Sequence, residues 1–337
     1  MPLDDRKDGQ LLNGKEAEDK YFRDICNGKI KGGGYSMDPR IQQILNTRKC
    51  HFVHHFNPYI KFGPFHIDVK HYWPFRTIIH DFFTEKEMDW MMAYSRPRLS
   101  TTREVRESTA RQTMADRRYS DGNDGQTVAK TVQTWFKDIA YTEEETLQQI
   151  NSENEPLMYE ALPLTDPYNF TIQHDTMLKI SKRIELVTHF NVTKRHGSSQ
   201  YQTTNYGLGG LVVPHMDPWG YEHGVRLVED RAKLVTRGDY IATFMGWLEN
   251  VPAGGGTAFA YNNFEGILEP TKGSAAFWIN LSSCHIKDHR SKHGGCPILK
   301  GSKWILNKWI YSWDQWKDWP CHLQKHRTID PFDEMSL

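Results

Sequence analysis

Apolar positions in the second half of the chain fall into short runs that are separated by glycine and proline. The run at 240–248 (YIATFMGWL) is followed by the segment PAGGGT at 252–257 and by a second apolar run at 273–280 (GSAAFWIN). Short apolar runs bounded by turn residues predict β-strands. Several such strands in succession favour a jelly roll or a barrel, which we expect to begin near Gln200.

A helix is predicted immediately before these strands. Apolar side chains recur there at spacings of three and four residues, which is the period of one helix face: Met177, Ile180, Ile184 and Val187. We expect this amphipathic helix to pack against the sheet. Strands backed by such a helix predict an α+β protein.

The region before this helix carries weaker patterns. A strand is predicted at 76–80. Thr84 and Glu87 have the spacing of a capping box, so a helix is expected to begin there and to end before Pro97. A further short element is expected at 131–140.

The remaining segments indicate how the chain is divided. Residues 1–20 are charged and are expected to be disordered. Residues 21–74 are expected to form a helical and linker segment, in which 51–73, rich in His, Phe and Pro, is interpreted as the linker. The polar stretch at 143–167 is interpreted as a surface insertion, and 326–337 as a C-terminal tail.

Composition and charge exclude several classes of protein. The 337 residues include 42 Lys and Arg and 42 Asp and Glu, so no net charge attracts a nucleic acid or an anionic membrane surface. No apolar stretch approaches the roughly 18 residues of a membrane-spanning helix. We therefore expect neither a nucleic-acid partner nor a membrane span.

A candidate metal site lies in the strand-rich region. His215 and Asp217 form an H-x-D pair in the segment PHMD, and His293 follows in KHGGCP. Two imidazoles and one carboxylate suit Fe(II) when three coordination positions stay open. A second H-x-D pair, His66 and Asp68, has no comparable frame of strands and turns and is expected to be a surface or packing pair.

A cation and a longer series of motifs accompany the candidate site. Lys303, ten residues after His293, could hold the far carboxylate of a dicarboxylic cosubstrate. From Asn205 to Cys321 the chain contains, in order, NYGLGG, PHMD, IAT, AGGGTAF, KGSAAFWINL, KHGGCPILKGSKW and NKWI. With this series the chain, from about Arg76 to Cys321, resembles the catalytic region of the collagen prolyl 4-hydroxylase alpha subunits, which are Fe(II)- and 2-oxoglutarate-dependent dioxygenases.

The resemblance implies a fold and a set of site residues. It implies a double-stranded β-helix (jelly-roll) core at 200–312 with flanking helices, inside a catalytic domain at 75–325. A dicarboxylate that leaves water needs a cation and hydroxyl donors. The implied iron ligands are His215, Asp217 and His293, the implied 2-oxoglutarate contacts are Lys303, Tyr206 and Thr257, and the implied pocket-lining residue is Trp309.

The resemblance also implies an activity. 2-Oxoglutarate and O2 are converted to succinate and CO2 while C4 of a proline in a collagen-like peptide is hydroxylated, and L-ascorbate rescues iron that has become oxidised. Protein disulfide isomerase is the implied partner, as the beta subunit, and the endoplasmic reticulum lumen is the implied location. The first residues of the chain show no signal-peptide pattern.

Two positions on the peptide side of the implied site depart from the family pattern. Val212 stands where the family has a Tyr, and Asp239 and Tyr240 stand where it has an Arg just before IAT. The changes remove a phenolic hydroxyl and a guanidinium. We therefore expect the peptide selectivity to differ from that of a standard collagen enzyme, and a 2-oxoglutarate dioxygenase with a non-collagen substrate is an alternative.

Cysteines and sequons bear on the cellular compartment. The five cysteines are Cys26, Cys50, Cys284, Cys296 and Cys321. The resemblance implies the disulfides Cys26–Cys50 and Cys296–Cys321, with Cys284 free, and disulfides imply an oxidising compartment. Five reduced cysteines in a cytosolic protein are the alternative. Three N-x-S/T sequons are candidate glycosylation sites: Asn169, Asn191 and Asn280.

Other interpretations compete with the catalytic iron site. Cys284, His285, His289 and His293 have a spacing at which a helix could hold zinc, although the glycines and proline after His293 favour a loop. The segment CHFVHH that starts at Cys50 is a second zinc-like cluster. A non-catalytic assembly subunit that retains the fold is a further alternative.

Overall fold

The computed structural model describes residues 6–7, 10–11, 14–29, 50–53, 63–72, 74–96, 99–101, 131–136, 167–194, 197–218, 238–260, 266–282 and 285–319. The helices are α1 Gly14–Cys26, α2 Glu85–Ser95 and α3 Pro167–Thr188. The strands are β1 Arg6–Lys7, β2 Gln10–Leu11, β3 Cys50–Val53, β4 Phe65–Tyr72, β5 Phe75–His80, β6 Ser100–Thr101, β7 Thr131–Phe136, β8 Tyr201–Tyr206, β9 Val212–His215, β10 Tyr240–Trp247, β11 Ala253–Gly254, β12 Thr257–Phe259, β13 Gly266–Leu268, β14 Ala275–Ile279, β15 His293–Gly295, β16 Ile298–Lys300 and β17 Lys303–Tyr311.

Most of the described strands belong to two antiparallel sheets. The larger sheet has the order β3-β4-β5-β14-β10-β17-β8-β7-β6, and the smaller has the order β13-β12-β15-β9. One pocket is lined by side chains from both sheets, so it lies between them. Helices accompany antiparallel sheets, so the predicted α+β composition is confirmed, and β8 begins at Tyr201, one residue after the expected Gln200.

The helix predicted from apolar spacing is α3. Its four predicted core residues, Met177, Ile180, Ile184 and Val187, are all fully buried in the main hydrophobic cluster. The hydroxyls of Ser181 on α3 and Tyr201 on β8 lie 2.8 Å apart and form a hydrogen bond. The helix therefore backs the larger sheet, as the pattern predicted.

The predicted capping box is confirmed at the start of α2. The Thr84 hydroxyl accepts a hydrogen bond from the Glu87 backbone N–H at 3.3 Å, and the Glu87 carboxylate accepts one from the Thr84 N–H at 2.9 Å. The same carboxylate receives two bonds from the Arg183 guanidinium of α3, at 2.8 and 3.0 Å. One side chain therefore caps α2 and ties it to α3.

The expected linker at 51–73 is wrong over most of its described part. β3 and β4 are strands of the larger sheet, and β4 pairs with β5 so that His66 lies opposite His80. Buried and more exposed residues alternate along β4: Ile67 and Val69 are buried, whereas Lys70 is exposed. The His, Phe and Pro content concealed this two-residue period, which is the signature of a half-buried strand.

The expectation of disorder over residues 1–20 is wrong for its described part, because β1 pairs with β2 and Gly14–Cys26 forms α1. The end of this helix buries Phe22 and Ile25 against Ala258 and Cys296 of the smaller-sheet region. These apolar contacts give the helix a partner, which the charged composition of the first residues did not predict.

The disulfide pairing implied by the resemblance is also wrong. Cys26 is bonded to Cys296, and their Cα atoms lie 5.5 Å apart. Because α1 packs against the smaller sheet, its last residue reaches Cys296, whereas Cys50 begins β3 at the edge of the larger sheet. Cys284 and Cys321 lie outside the described residues.

Two of the three predicted glycosylation sites are engaged in the fold. Asn280 is fully buried, so the prediction of a glycan there is wrong for the folded chain. The Asn191 side-chain amide donates hydrogen bonds to the Asp314 carbonyl at 3.1 Å and to the Asp318 carboxylate at 3.0 Å, and a glycan on that nitrogen would displace one of them. Asn169 lies in α3.

Other predicted segments are only partly described. The element expected at 131–140 is present as β7, Thr131–Phe136, which pairs with β8. The predicted insertion, apart from Pro167, and the predicted tail at 326–337 lie outside the described residues. Within the part of the chain that the structure describes, no helix is both long enough and apolar enough to cross a bilayer.

Candidate metal centre

Strand pairing brings the two candidate histidine ligands together. In the antiparallel pair of β9 and β15, His215 lies directly opposite His293, and their ring centroids are 4.7 Å apart. Asp217, just beyond β9, places its carboxylate oxygens 3.4 Å from His215 Nε2 and 3.7 Å from His293 Nε2. The three ligand atoms lie within 4.8 Å of one another, a spacing that fits one metal ion.

The protonation states of this cluster suit metal binding. Burial by itself raises the pKa of Asp217, but His293, His215 and the Thr243 hydroxyl together hold it well below its usual value. Burial lowers the pKa of His293 to about 4. At neutral pH the site therefore contains a carboxylate and a neutral His293, which are the forms that bind metal ions.

A backbone contact orients His293. Its Nδ1 lies 2.9 Å from the Ser291 carbonyl oxygen. A carbonyl oxygen only accepts, so Nδ1 carries the proton and Nε2, which faces Asp217, keeps its lone pair. Such contacts fix the tautomer and the ring direction of a metal ligand.

Two residues that the sequence analysis did not assign to the site lie behind Asp217. The Thr243 hydroxyl donates a hydrogen bond of 2.6 Å to Asp217 Oδ2, and the Asn280 amide donates one of 2.7 Å to the Thr243 oxygen. Both residues lie within quoted motifs, IAT and WINL, but a motif does not show which of its side chains face the pocket. The sequon pattern had assigned Asn280 to the surface instead.

A buried lysine lies elsewhere in the same pocket. Lys303 is 4% exposed, and burial lowers its pKa to about 7, an effect that Glu269 partly offsets. Its Nζ lies 3.3 Å from the Thr257 hydroxyl and 5.9 Å from the centre of the Tyr206 ring. Tyr206 and Lys303 are opposite each other on β8 and β17. These side chains form a cationic, hydroxyl-bearing end of the pocket.

The pocket contains most of the residues predicted for the site. Ten lining residues illustrate its make-up: Tyr206, Val212, His215, Asp217, Thr243, Met245, Thr257, His293, Lys303 and Trp309. Tyr240 is not among the lining residues, but its ring centre lies 5.8 Å from that of Trp309. The structure thus brings together all the predicted metal and cosubstrate residues and places Tyr240 beside Trp309.

Two parts of the competing metal sites, Cys284 and the side chains of the CHFVHH segment, lie outside the described residues. Among the described residues, the one group of three clustered ligand side chains is His215, Asp217 and His293. His66 instead packs against His80 with the rings tilted and their centres 4.6 Å apart, and Asp68 forms an ion pair with Lys70. The zinc-like segment before His293 contains a short 3-10 turn at His289–Ser291 and no α-helix among its described residues, so the predicted loop is confirmed there.

No protein-family model matches the chain. Among curated proteins, the chain is 28% identical to prolyl 4-hydroxylase subunit alpha-3 of Mus musculus over 272 residues. The match covers 81% of this chain and 40% of the mouse protein. The chain therefore spans less than half the length of this relative.

Solved structures give weaker matches. One match is the crystal structure of the viral collagen prolyl hydroxylase from Paramecium bursaria Chlorella virus-1 in its 2-oxoglutarate complex. Its sequence is 17% identical, and the match has a TM-score of 0.39 and covers 70% of this chain and 95% of the viral one. A prolyl hydroxylase of Trichoplax adhaerens, in complex with a hypoxia-inducible-factor peptide fragment, is 12% identical with a TM-score of 0.37 over 71% of this chain and 84% of that one.

The sequence comparison, and not the low TM-scores, carries weight for this chain. Its similarity to the mouse protein extends far beyond the H-x-D segment, since it covers 81% of the chain. The resemblance found from the motif series is confirmed: this chain is similar, over most of its length, to the prolyl 4-hydroxylase alpha subunits.

Proposed function

We propose that this chain is the catalytic part of an Fe(II)- and 2-oxoglutarate-dependent prolyl 4-hydroxylase. The observation that carries the proposal is the placement of a His-Asp-His cluster and a buried lysine in one pocket between two sheets. The similarity to prolyl 4-hydroxylase alpha subunits supports the same reaction. The reaction converts peptidyl proline, 2-oxoglutarate and O2 to 4-hydroxyproline, succinate and CO2.

The donor set fits an iron ion. His215, Asp217 and His293 provide two nitrogen ligands and one carboxylate oxygen, the set used by non-haem Fe(II) oxygenases. The Asp217 side chain is only 3% exposed, and burying a carboxylate is costly unless a positive charge compensates it. A divalent metal ion at the cluster would supply that charge.

The cationic end of the pocket would bind 2-oxoglutarate. Lys303 would pair with the far carboxylate, and the hydroxyls of Thr257 and Tyr206 would donate hydrogen bonds to it. Trp309 and Ile305 would line the pocket beside the cosubstrate and exclude water. Bound iron and 2-oxoglutarate supply the oxidative chemistry, which couples decarboxylation to hydroxylation of a C–H bond, with L-ascorbate as the reductant that restores Fe(II).

We infer that the two sheets form a double-stranded β-helix. The larger sheet supplies Tyr206, Lys303 and Trp309, while the smaller supplies His215 and His293, so the pocket is closed from both sides. This core occupies 200–312 of a catalytic domain at 75–325, and α1, β3 and β4 extend the domain on its N-terminal side.

The proposed substrate is a proline-containing peptide whose sequence differs from that of collagen. Val212 lines the pocket, and Tyr240 stacks on Tyr311 and lies beside Trp309, so an aliphatic and an aromatic surface replace a phenol and a guanidinium. Without a guanidinium fork, a substrate carbonyl has one fewer hydrogen-bond donor. Hydroxylation of (Pro-Pro-Gly)n as efficient as that by a standard collagen enzyme, under matched conditions, would contradict this selectivity.

The proposed location is the endoplasmic reticulum lumen, with protein disulfide isomerase as a partner. The Cys26–Cys296 bond supports an oxidising compartment. Co-purification of the isomerase with the chain from its native host would support the partnership. A chain that is soluble and active when expressed alone would contradict dependence on it.

Turnover of 2-oxoglutarate tests the proposed function. Succinate is measured with Fe(II) and ascorbate, with and without proline-rich peptides, and the peptides are analysed by mass spectrometry for a gained oxygen atom. We expect peptide-stimulated succinate formation in the wild type. His293→Ala should abolish both signals, because it removes one of three protein ligands.

The second H-x-D pair offers a matched control. His66→Ala removes a half-buried histidine of the same local sequence pattern from β4, which belongs to the larger sheet but contributes nothing to the pocket among the described residues. Its turnover should equal that of the wild type. Failure of the wild type to bind iron, or turnover that persists in His293→Ala, would refute the proposed function.

A further inference from the structure

We propose that Thr243 and Asn280 are positioning residues that together hold the Asp217 carboxylate for metal binding. The two side chains form a hydrogen-bonded series, from the Asn280 amide to the Thr243 hydroxyl and on to Asp217 Oδ2. The inference rests on the proposed metal centre, since it gives these residues a role only through a metal ligand.

Both residues are buried and held by the strands that carry them. Thr243 lies on β10 and is 2% exposed, and Asn280 directly follows β14 and is fully buried. The Asn280 backbone N–H donates to the Ile241 carbonyl at 2.8 Å, and its carbonyl accepts from the Asp288 N–H at 2.9 Å. The backbone that carries the Asn280 amide is therefore held by hydrogen bonds at both its N–H and its carbonyl.

The chemistry of the three groups fixes the direction of the series. A threonine hydroxyl has one proton, so it can donate to Asp217 or to Asn280, but not to both. With the Asn280 nitrogen toward Thr243, the threonine oxygen accepts and its proton is left for the carboxylate. The opposite amide orientation would draw the proton to Asn280 and leave Asp217 Oδ2 without this donor, a costly state for a buried charge.

The series distinguishes the two oxygens of Asp217. Oδ2 lies 2.6 Å from the Thr243 hydroxyl and 3.7 Å from His293 Nε2, whereas Oδ1 accepts no hydrogen bond from Thr243 and lies 3.4 Å from His215 Nε2. A proton donor on Oδ2 withdraws electron density from it and leaves Oδ1 as the stronger ligand atom. A carboxylate that binds through one oxygen keeps more coordination positions open than one that binds through two.

Metal affinity tests the role of Thr243 directly. Mn(II) binding is titrated by electron paramagnetic resonance on the full chain, without cosubstrate or turnover. We expect Thr243→Val, which keeps the shape and removes the hydroxyl, to weaken Mn(II) binding by about 10- to 100-fold, the usual effect of losing a group that orients a metal ligand. Thr243→Ser restores the hydroxyl and should recover affinity close to that of the wild type.

Thr203 provides the matched control. It is fully buried in the larger sheet, and its hydroxyl has no hydrogen-bond partner among the described residues. Thr203→Val makes the same change away from the metal centre and should leave Mn(II) affinity unchanged. Circular dichroism of each variant establishes that it is folded, and the Thr243→Ser result separates loss of the hydroxyl from misfolding.

A double-mutant cycle tests whether Asn280 acts through Thr243. Asn280→Leu alone should weaken Mn(II) binding, because the Thr243 oxygen loses the donor that holds it in place and strengthens its own bond to Asp217. In the Thr243→Val background the same change should cause no further loss, since the connecting hydroxyl is gone. An equal loss in both backgrounds would overturn the series and leave Asn280 as a packing residue.

The remaining outcomes separate this inference from the proposed function. Wild-type Mn(II) binding that is unchanged in Thr243→Val would overturn the inference and leave the proposed iron site standing. A wild type that binds no divalent metal would overturn both. Loss of binding in His293→Ala together with weakened binding in Thr243→Val would support both.

Discussion

His215 and His293 lie directly opposite each other on the paired strands β9 and β15, with ring centres 4.7 Å apart. The spacing of the two candidate ligands is therefore set by strand register and not by loop conformation. A change that separates these strands would move one ligand relative to the other. Gly294, which follows His293, lies between the Val212 carbonyl of β9 and the Phe22 ring of α1.

Gly294→Ala should damage the metal centre. A Cβ there would lie 2.6 Å from the Val212 carbonyl oxygen and 2.9 Å from the Phe22 ring, so β9, β15 or α1 must shift. We expect a loss of about 1–3 kcal/mol in the free energy of unfolding, as for other overpacked sites. Chemical denaturation measures this loss, and Mn(II) titration measures the accompanying loss of affinity.

Gly295→Ala is the control for this substitution. A Cβ at Gly295 would make an ordinary contact at 3.6 Å, with the Val212 backbone nitrogen. The variant should keep wild-type stability and metal affinity. Equal effects of the two substitutions would show that close packing at Gly294 does not maintain the site.

Binding of 2-oxoglutarate should weaken as the pH rises above about 7. Burial lowers the pKa of Lys303 to about 7, so the lysine of the free protein is charged below that pH and neutral above it. A dicarboxylate requires the charged form, and its apparent affinity should fall by about tenfold per pH unit on the alkaline side. Isothermal titration calorimetry of the Mn(II)-loaded chain across this range measures the slope.

Lys303→Arg provides the comparison for the pH profile. Arginine stays charged across this pH range, so the affinity of the variant for 2-oxoglutarate should not fall as the pH rises. This expectation holds whether the variant binds more tightly or more weakly than the wild type. A wild-type profile that is flat above about pH 7 would contradict the titration of Lys303.

Reduction of the Cys26–Cys296 bond should destabilise the chain. The two cysteines are separated by 270 residues, and constraining so long a segment of the unfolded chain stabilises the folded state by up to about 5 kcal/mol. We expect a lower thermal unfolding temperature with reductant. The Cys26→Ala variant should have the lower unfolding temperature both with and without reductant. An unfolding temperature of the wild type that does not change with reductant would contradict a stabilising role for the disulfide.

The Arg183–Glu87 pair should contribute more to stability than a surface pair of the same kind. Arg183→Met breaks two hydrogen bonds to a half-buried carboxylate and should cost about 1–3 kcal/mol in the free energy of unfolding. Lys272→Met breaks the exposed pair with Glu85 and should cost at most about 1 kcal/mol. Urea denaturation of both variants measures the difference, and equal costs would contradict it.

The sequence by itself determined the features that depend on neighbours along the chain. The capping box of Thr84 and Glu87 and the buried face of α3 follow from spacings of three and four residues, which a helix converts directly into contacts. The motif series likewise identified His215, Asp217 and His293, because it resembles a family whose site residues occur in the same order.

The tertiary structure alone decided the features that depend on neighbours across the sheets. The partner of Cys26 is fixed by where α1 packs, and its contacts come from residues more than two hundred positions away. Asn280 has a sequon like any surface asparagine, yet the pairing of β10 with β14 buries it beside Thr243. Such contacts cannot be predicted from local sequence, because they depend on how strands that are distant in sequence pack against each other.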